Sequence, residues 1–163
     1  MNRATLALMV LIGFLPLPAF AGDGATMLVG VWRFAGEIDT GADDSPIPAA
    51  LANDSQGQLI YTADGFKSAT IMPRGRRWNI VTATNNQLRE SVADGTAYAG
   101  RYEVDAKTHT VTHIVLVSVE PGYEGQRLVR TFSLDGDTLE LSGAYRYQGE
   151  THPLCQHVET RDR

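Results

Sequence analysis

A single cysteine, Cys155, stands in a chain of 163 residues, so no internal disulfide can staple the fold and a hydrophobic core must supply its stability. A lone thiol of this kind is most often buried and inert, with intermolecular pairing the weaker alternative. Beyond the first twenty residues no apolar run is long enough to cross a bilayer as a helix. Basic residues are scarce, and the formal net charge is −5. The one basic clump is Arg74, Arg76 and Arg77 in PRGRR, beside Trp78. An acidic domain without a larger Lys/Arg cluster is a poor candidate for binding nucleic acid or an anionic membrane. The clump itself reads as a solvated Pro/Gly turn, with an anion site as the alternative. Chemical signatures are missing too. Ser68 lacks a nucleophile elbow, no paired-carboxylate pattern is present, and Asp64 is explained by its Asp-Gly turn. The tail His152-Pro153-Leu154-Cys155-Gln156-His157 lacks the four closely paired ligands of a structural zinc site, so neither a metal nor an organic cofactor is expected.

What is present begins with a leader. Asn2 and Arg3 precede an apolar run from Ala4 to Leu17 and the small-x-small sequence Ala19-Phe20-Ala21. That pattern predicts a signal peptide over residues 1–21, cleaved after Ala21 and leaving one domain over 22–163 in the periplasm or outside the cell. An uncleaved anchor is the weaker alternative. The leader carries Arg3 and no acidic residue, so its loss takes the charge from −5 to −6.

Downstream, short β-type runs alternate with turn residues. Strands are expected near Val29–Gly36, Gln58–Ala63, Phe66–Met72, Ala97–Val104, Thr108–Val119, Gln126–Leu134, Thr138–Tyr147 and Leu154–Arg161. Asp64-Gly65 and Asp135-Gly136 supply the positive φ that hairpins demand, and Asp105-Ala106-Lys107 marks a third tight turn. Two stretches interrupt the meander. Glu37 to Gly57 reads as a long polar loop, and Thr84 to Ala93 as a short helix, with Thr84 and Gln87 at capping-box spacing. Eight strands joined to their sequence neighbours predict an all-β, up-and-down antiparallel barrel with one short helix. Such an interior either fills with side chains or holds one small ligand.

Gly30-Val31-Trp32 on the first strand resembles the Gly-x-Trp signature of lipocalins. That resemblance implies a calycin-type barrel whose floor is closed by Trp32 under Arg161 through cation–π stacking, with Arg163 as a fallback partner. Longer stretches, Gly57 to Gly65, Tyr98 to Asp105, Thr110 to His113 and Arg130 to Asp137, resemble the bacterial and fungal lipocalin-like domain family over nearly all of the chain after the leader. One departure stands at the end. Family members often carry a tryptophan before the terminal arginine, where this chain has His157-Val158-Glu159-Thr160.

Strand alternation nominates an interior. Tyr98, Gly100, Tyr102 and Val104 share one face, with Arg101 and Glu103 on the other. Leu128, Arg130, Phe132 and Leu134 share a face, as do Leu59 with Tyr61, Ser68 with Phe66, Thr70 and Met72, and Leu139, Leu141, Tyr145 and Tyr147. In TVTHIVLVSVEP both faces are apolar, so alternation leaves the side taken by His113 open. If these faces turn inward, Tyr61, Ser68, Tyr98, Tyr102, His113, Arg130 and Tyr145 form a polar patch in an apolar pocket, the usual build of a small-molecule site. The favoured expectation is a carrier of a small hydrophobic molecule. The alternative is a cofactor-independent isomerase, cyclase or lyase in which His113 acts as base and Tyr102 or Arg130 polarises a carbonyl. A third reading is an interaction module that presents the Asp39–Asp54 and PRGRRW loops on a barrel scaffold. Stable membrane insertion is not expected, and the sequence leaves the oligomeric state open.

Overall fold

In the computed structural model the described backbone comprises residues 25–40, 46–47, 54–93, 95–147 and 150–161, and the described side chains are those of 26–36, 54–90 and 95–143. The leader expected over residues 1–21 and its expected cleavage site lie outside them. The described strands are β1 (Gly30–Thr40), β2 (Pro46–Ile47), β3 (Ser55–Tyr61), β4 (Phe66–Pro73), β5 (Thr96–Asp105), β6 (Thr110–Ser118), β7 (Arg127–Asp135), β8 (Thr138–Tyr147) and β9 (Glu150–Arg161), with an α-helix, α1 (Asn85–Ala93), between β4 and β5 and single 3-10 turns at Ala25–Met27 and Pro121–Tyr123. Their order is β2-β1-β3-β4-β5-β6-β7-β8-β9, every pair is antiparallel, and a further β1–β9 ladder closes the sheet into a barrel. The fold is therefore the expected all-β up-and-down barrel. The expected count of eight strands needs correction, because the stretch read as one long loop contains β2, which pairs with Asp39 and Thr40 of an extended β1. Proline at the first position of so short an edge strand costs no ladder bond that a longer strand would need.

The turns follow the residues that specify them. Gly65 and Gly136 take φ of 85° and 58° in the β3–β4 and β7–β8 connections. In the β5–β6 turn the Asp105 side chain accepts from the backbone N–H groups of Lys107 and Thr108. At the start of α1 the Thr84 hydroxyl accepts from the Gln87 N–H at 3.3 Å, and the Gln87 side chain accepts from the Thr84 N–H at 2.9 Å, which completes the reciprocal capping box.

Strand polarity gives the barrel two unlike ends. One holds the tight β3–β4, β5–β6 and β7–β8 turns, and the other holds the longer connections 74–95 and 119–126. Trp32 is fully buried near the tight-turn end and donates from Nε1 to the Leu28 carbonyl at 2.8 Å. Across the closing ladder its register partner is Arg161, whose side chain lies outside the described residues, as does Arg163. Trp32 belongs to one buried hydrophobic cluster with Leu28, Phe34, Leu59, Phe132, Leu139 and Leu141 among others. On the outside, Glu103 pairs with Arg127 at 2.6 Å in solvent.

Two outcomes follow. Trp32→Ala removes the largest fully buried side chain of the described core and is expected to cost roughly 3–5 kcal/mol in urea unfolding; a loss below about 1 kcal/mol would show that the floor does not depend on it. Hydrogen bonds hold the Asp105 carboxyl below its ordinary value. A depressed carboxylate stabilises the fold above its unfolded pKa and loses that effect as pH falls through the folded value. Acid titration of wild type should therefore lower stability more steeply than that of Asp105→Asn.

Candidate functional site

Inside the barrel, β3, β4, β5 and β6 bring one polar cluster together. His113 is 1% exposed and sits on the inner face of β6 with Val111 and Val115, which answers the question alternation left open. Its Nε2 lies 2.8 Å from the Tyr61 hydroxyl and its Nδ1 lies 2.9 Å from the Tyr98 hydroxyl. A neutral imidazole accepts at one nitrogen and donates at the other, so in that state one phenol donates to the ring and the other accepts from it. Tyr61 in turn packs edge-on against Tyr102, with ring centroids 4.9 Å apart. Tyr102 donates its hydroxyl to the Thr62 carbonyl at 2.9 Å. Burial, and secondarily the charge of Asp64, hold its phenol above the ordinary value, so it stays a donor.

The structure adds one residue that sequence reasoning missed. Lys67 is 3% exposed, and its ammonium lies 3.7 Å from the centroid of the Tyr98 ring. Stacking a cation on an aromatic face offsets part of the desolvation that burial demands. The opposite face of β4 therefore needs correction. Ser68 is half-buried on the outer side with Phe66 and Thr70, whereas Lys67, Ala69 and Ile71 point inward. The signal was available in the hairpin. Tyr61 pairs directly with Lys67, and directly opposed residues face the same way, so an inward Tyr61 requires an inward Lys67. Outside, Phe66 is covered by the Arg101 guanidinium, 3.9 Å above its ring.

The remaining nominated residues fall as follows. Arg130 is 9% exposed on the inner face of β7, and a Cβ on Gly143 would come within 2.8 Å of its Cδ and Nη1, so the glycine on β8 makes room for the guanidinium stem. Gly30, with φ of 146°, pairs with Tyr61 beside the floor. Tyr145 lies opposite His152 in the β8–β9 ladder, with its side chain outside the described residues. Cys155 and His157 are likewise described only by their backbones, and no group of three or more potential metal ligands occurs among the described residues. Buried polar residues among the described ones are Ser55, Lys67, His113 and Arg130, and no Asp or Glu is buried with them. The interior thus offers hydroxyls, an imidazole and two cations within an apolar wall. That chemistry suits the polar end of an amphiphile, or proton exchange through the Tyr61–His113–Tyr98 chain.

Two clefts lie outside the barrel. One, of about 280 Å³, is an apolar groove on the outer face of β3 to β6, lined by Ile60, Phe66, Ser68, Leu116 and Val117. The other, of about 370 Å³, lies between the loop 74–78 and α1.

The family model described as the lipocalin-like domain matches residues 29–154. No curated protein matches the chain. Among solved structures, the lipoprotein YedD from Klebsiella pneumoniae subsp. pneumoniae is similar at 14% identity, covering 90% of this chain and 79% of that one with a TM-score of 0.40. Rv2717c from M. tuberculosis is similar at 16% identity, covering 90% and 99% with a TM-score of 0.33. The siderocalin Ex-FABP is similar at 8% identity, covering 83% and 71% with a TM-score of 0.34.

The hydroxyl bonds to His113 make a measurable prediction. His113→Phe takes a hydrogen-bond partner from two tyrosines and should cost about 1–3 kcal/mol while leaving the fold intact. Adding Tyr61→Phe to that variant should recover part of the loss, because one of those buried hydroxyls is gone. Strictly additive losses in the double-mutant cycle would mean the pair is not coupled.

Proposed function

We propose that this chain, which belongs to the lipocalin-like domain family, holds a small hydrophobic molecule inside its barrel and does so after export. The observation that carries the reading is the polar cluster at His113, bonded to two tyrosine hydroxyls beside the buried Lys67 ammonium in an apolar wall. Lys67, His113, Tyr61, Tyr98 and Tyr102, with Arg130 on the neighbouring β7, would receive the polar end of the ligand, and Tyr145, farther along β8 toward the opposite rim, would meet its remainder. A carboxylate, phenol or carbonyl fits donors and cations of this kind. Gly30, Trp32 and Arg161 would close the floor beneath it. Export rests on the leader pattern of residues 1–21; no described helix is long and apolar enough to cross a membrane.

A second reading draws on one feature of the same cluster. Both ring nitrogens of His113 contact phenol hydroxyls, so a proton could pass from one tyrosine to the other through the imidazole. That favours cofactor-independent isomerase, cyclase or lyase chemistry on a hydrophobic substrate. Because both nitrogens are already engaged, binding needs no rearrangement of the ring, whereas direct base catalysis would have to open one of these bonds.

Native mass spectrometry of the protein purified from its own host's envelope, followed by organic extraction and re-incubation, separates the readings. The expected result is a released amphiphile that returns unchanged. A chemically altered molecule would make this an enzyme, and an empty protein that takes up no fluorescent fatty acid would overturn both readings. Lys67→Met should weaken a fluorescent fatty acid about tenfold or more while leaving the matching alcohol unaffected, given that a hydrogen bond to a charged group contributes about 1.5–3 kcal/mol. Equal affinity of wild type for acid and alcohol would remove the charged end from the proposal.

A further inference from the structure

The loop between β4 and α1 combines features that neither the interior site nor the barrel needs. Residues 74–90 carry four arginines and one glutamate in a chain whose net charge is −5. Arg74, Arg76 and Arg77 are exposed and, with Trp78, Gln87 and Glu90, line the cleft of about 370 Å³. Directly after Trp78, Ile80 is 76% exposed and Val81 is 86% exposed, the highest exposures among the exposed large apolar residues described. The pair is held in that position. The Asn79 side chain accepts from the Val81 N–H at 2.8 Å, and its carbonyl accepts from the Thr82 N–H at 3.0 Å, so an Asx turn presents Ile80 and Val81 at its tip. At the base of the loop the Arg74 N–H donates to the Asp54 carbonyl at 2.7 Å, tying it to the start of β3. Strand polarity places all of this at the barrel end away from the tight turns and the Trp32 floor.

We propose that this loop docks the protein, reversibly, on a bilayer surface rich in anionic lipid. Guanidinium groups meet phosphate head groups, the indole takes the interfacial layer, and the Ile80-Val81 tip enters the acyl boundary. Basic side chains beside an exposed apolar tip and an aromatic ring are the makeup of an interfacial anchor. Arginines near an anionic surface contribute attraction that adds charge by charge. The overall acidity of the chain does not oppose this, because screening confines surface electrostatics to about 8–10 Å and the local patch decides the contact. The neighbouring rim connection, residues 119–126, carries Glu120 and Glu124, so attraction is confined to the β4–β5 side of the rim. An acidic protein would answer the arginines equally well. Ile80 and Val81 favour a lipid surface, since two aliphatic side chains at a turn tip supply no pocket for a partner to fill.

The test is sedimentation of the protein, as purified from its own host with its N-terminus read by mass, on two kinds of vesicle. One is phosphatidylcholine alone and the other contains about a third phosphatidylglycerol. Binding to the anionic vesicles should be at least about tenfold tighter and should weaken with added salt. Trp78 emission should move to the blue on binding, while Trp32, already buried, stays constant. Arg76→Gln/Arg77→Gln and Ile80→Ser/Val81→Ser alter exposed residues only, and each pair should lower binding to anionic vesicles about tenfold with fatty-acid uptake unchanged. That unchanged uptake separates docking from the interior site, which Lys67→Met and His113→Phe probe. Equal binding of wild type and both variants would overturn the proposal, and so would failure of wild type to prefer anionic vesicles. Capture by soluble polyglutamate as tight as by vesicles, and indifferent to Ile80→Ser/Val81→Ser, would transfer the surface to an acidic protein partner.

Discussion

Pairing of β1 with β9 is the constraint from which the other features descend. A sheet that closes on itself has an inside and an outside at every strand, and a one-residue slip anywhere would exchange the two. Trp32 lies on that closing ladder, opposite Arg161 and adjacent to Leu59, so its burial fixes which face of β1 and β3 turns inward. The choice then passes from ladder to ladder. Leu59 and Tyr61 follow Trp32, Lys67 follows Tyr61, and Tyr102 and His113 face each other on β5 and β6.

That propagation explains a placement that local hydrophobicity would reject. Phe66 is 42% exposed while the adjacent Lys67 is 3% exposed. Burying a phenylalanine contributes roughly 1.5–3 kcal/mol, and burying a lysine charge is costly. The register nevertheless prevails, because exchanging these two would also turn Ala69 and Ile71 outward and Ser68 and Thr70 inward along the whole of β4. Local contacts soften the conflict on both sides: the Tyr98 ring receives the ammonium, and Arg101 covers the exposed ring of Phe66. Charge inside and an aromatic outside mark the place where this strand departs from a pattern chosen for stability alone.

Legibility from sequence divided along the same line. Turns and caps were readable because each depends on a few neighbouring residues: Gly65, Gly136 and the Thr84–Gln87 box lie where their chemistry puts them. Most strands and the inward faces of β5 and β7 were readable because polar and apolar residues alternate clearly there. β4 misled because its aromatic residue and its lysine occupy the sides opposite to their usual ones, and β6 was undecided because both its faces are apolar. Only cross-strand register resolves such cases, and it is a property of pairs of strands. β2 escaped notice for a related reason, since two residues containing a proline have no periodicity to detect. The exposed tip at Ile80 and Val81 was also beyond reach, as exposure in an irregular loop depends on what the loop packs against.

The two proposals meet in the polarity of the barrel. Tyr61, Lys67 and Tyr102 lie near the tight-turn end, with Tyr102 bonded to the Thr62 carbonyl, whereas the arginine-rich loop is at the opposite rim. An amphiphile bound with its polar end at the cluster would therefore have its apolar tail toward the rim. In a bilayer the same molecule carries its head group at the surface and its tail beneath. A rim seated on that surface would admit the head group first, and the tail would follow out of the acyl layer into the apolar wall. Transfer in that order would bring the charged end toward the buried Lys67 and Arg130, whose attraction strengthens as water is left behind. It also assigns the cations distinct tasks. On these proposals the exposed arginines at the rim would recruit an anionic surface through a screened, reversible attraction, and the buried Lys67 and Arg130 would act at short range, where water weakens charge less.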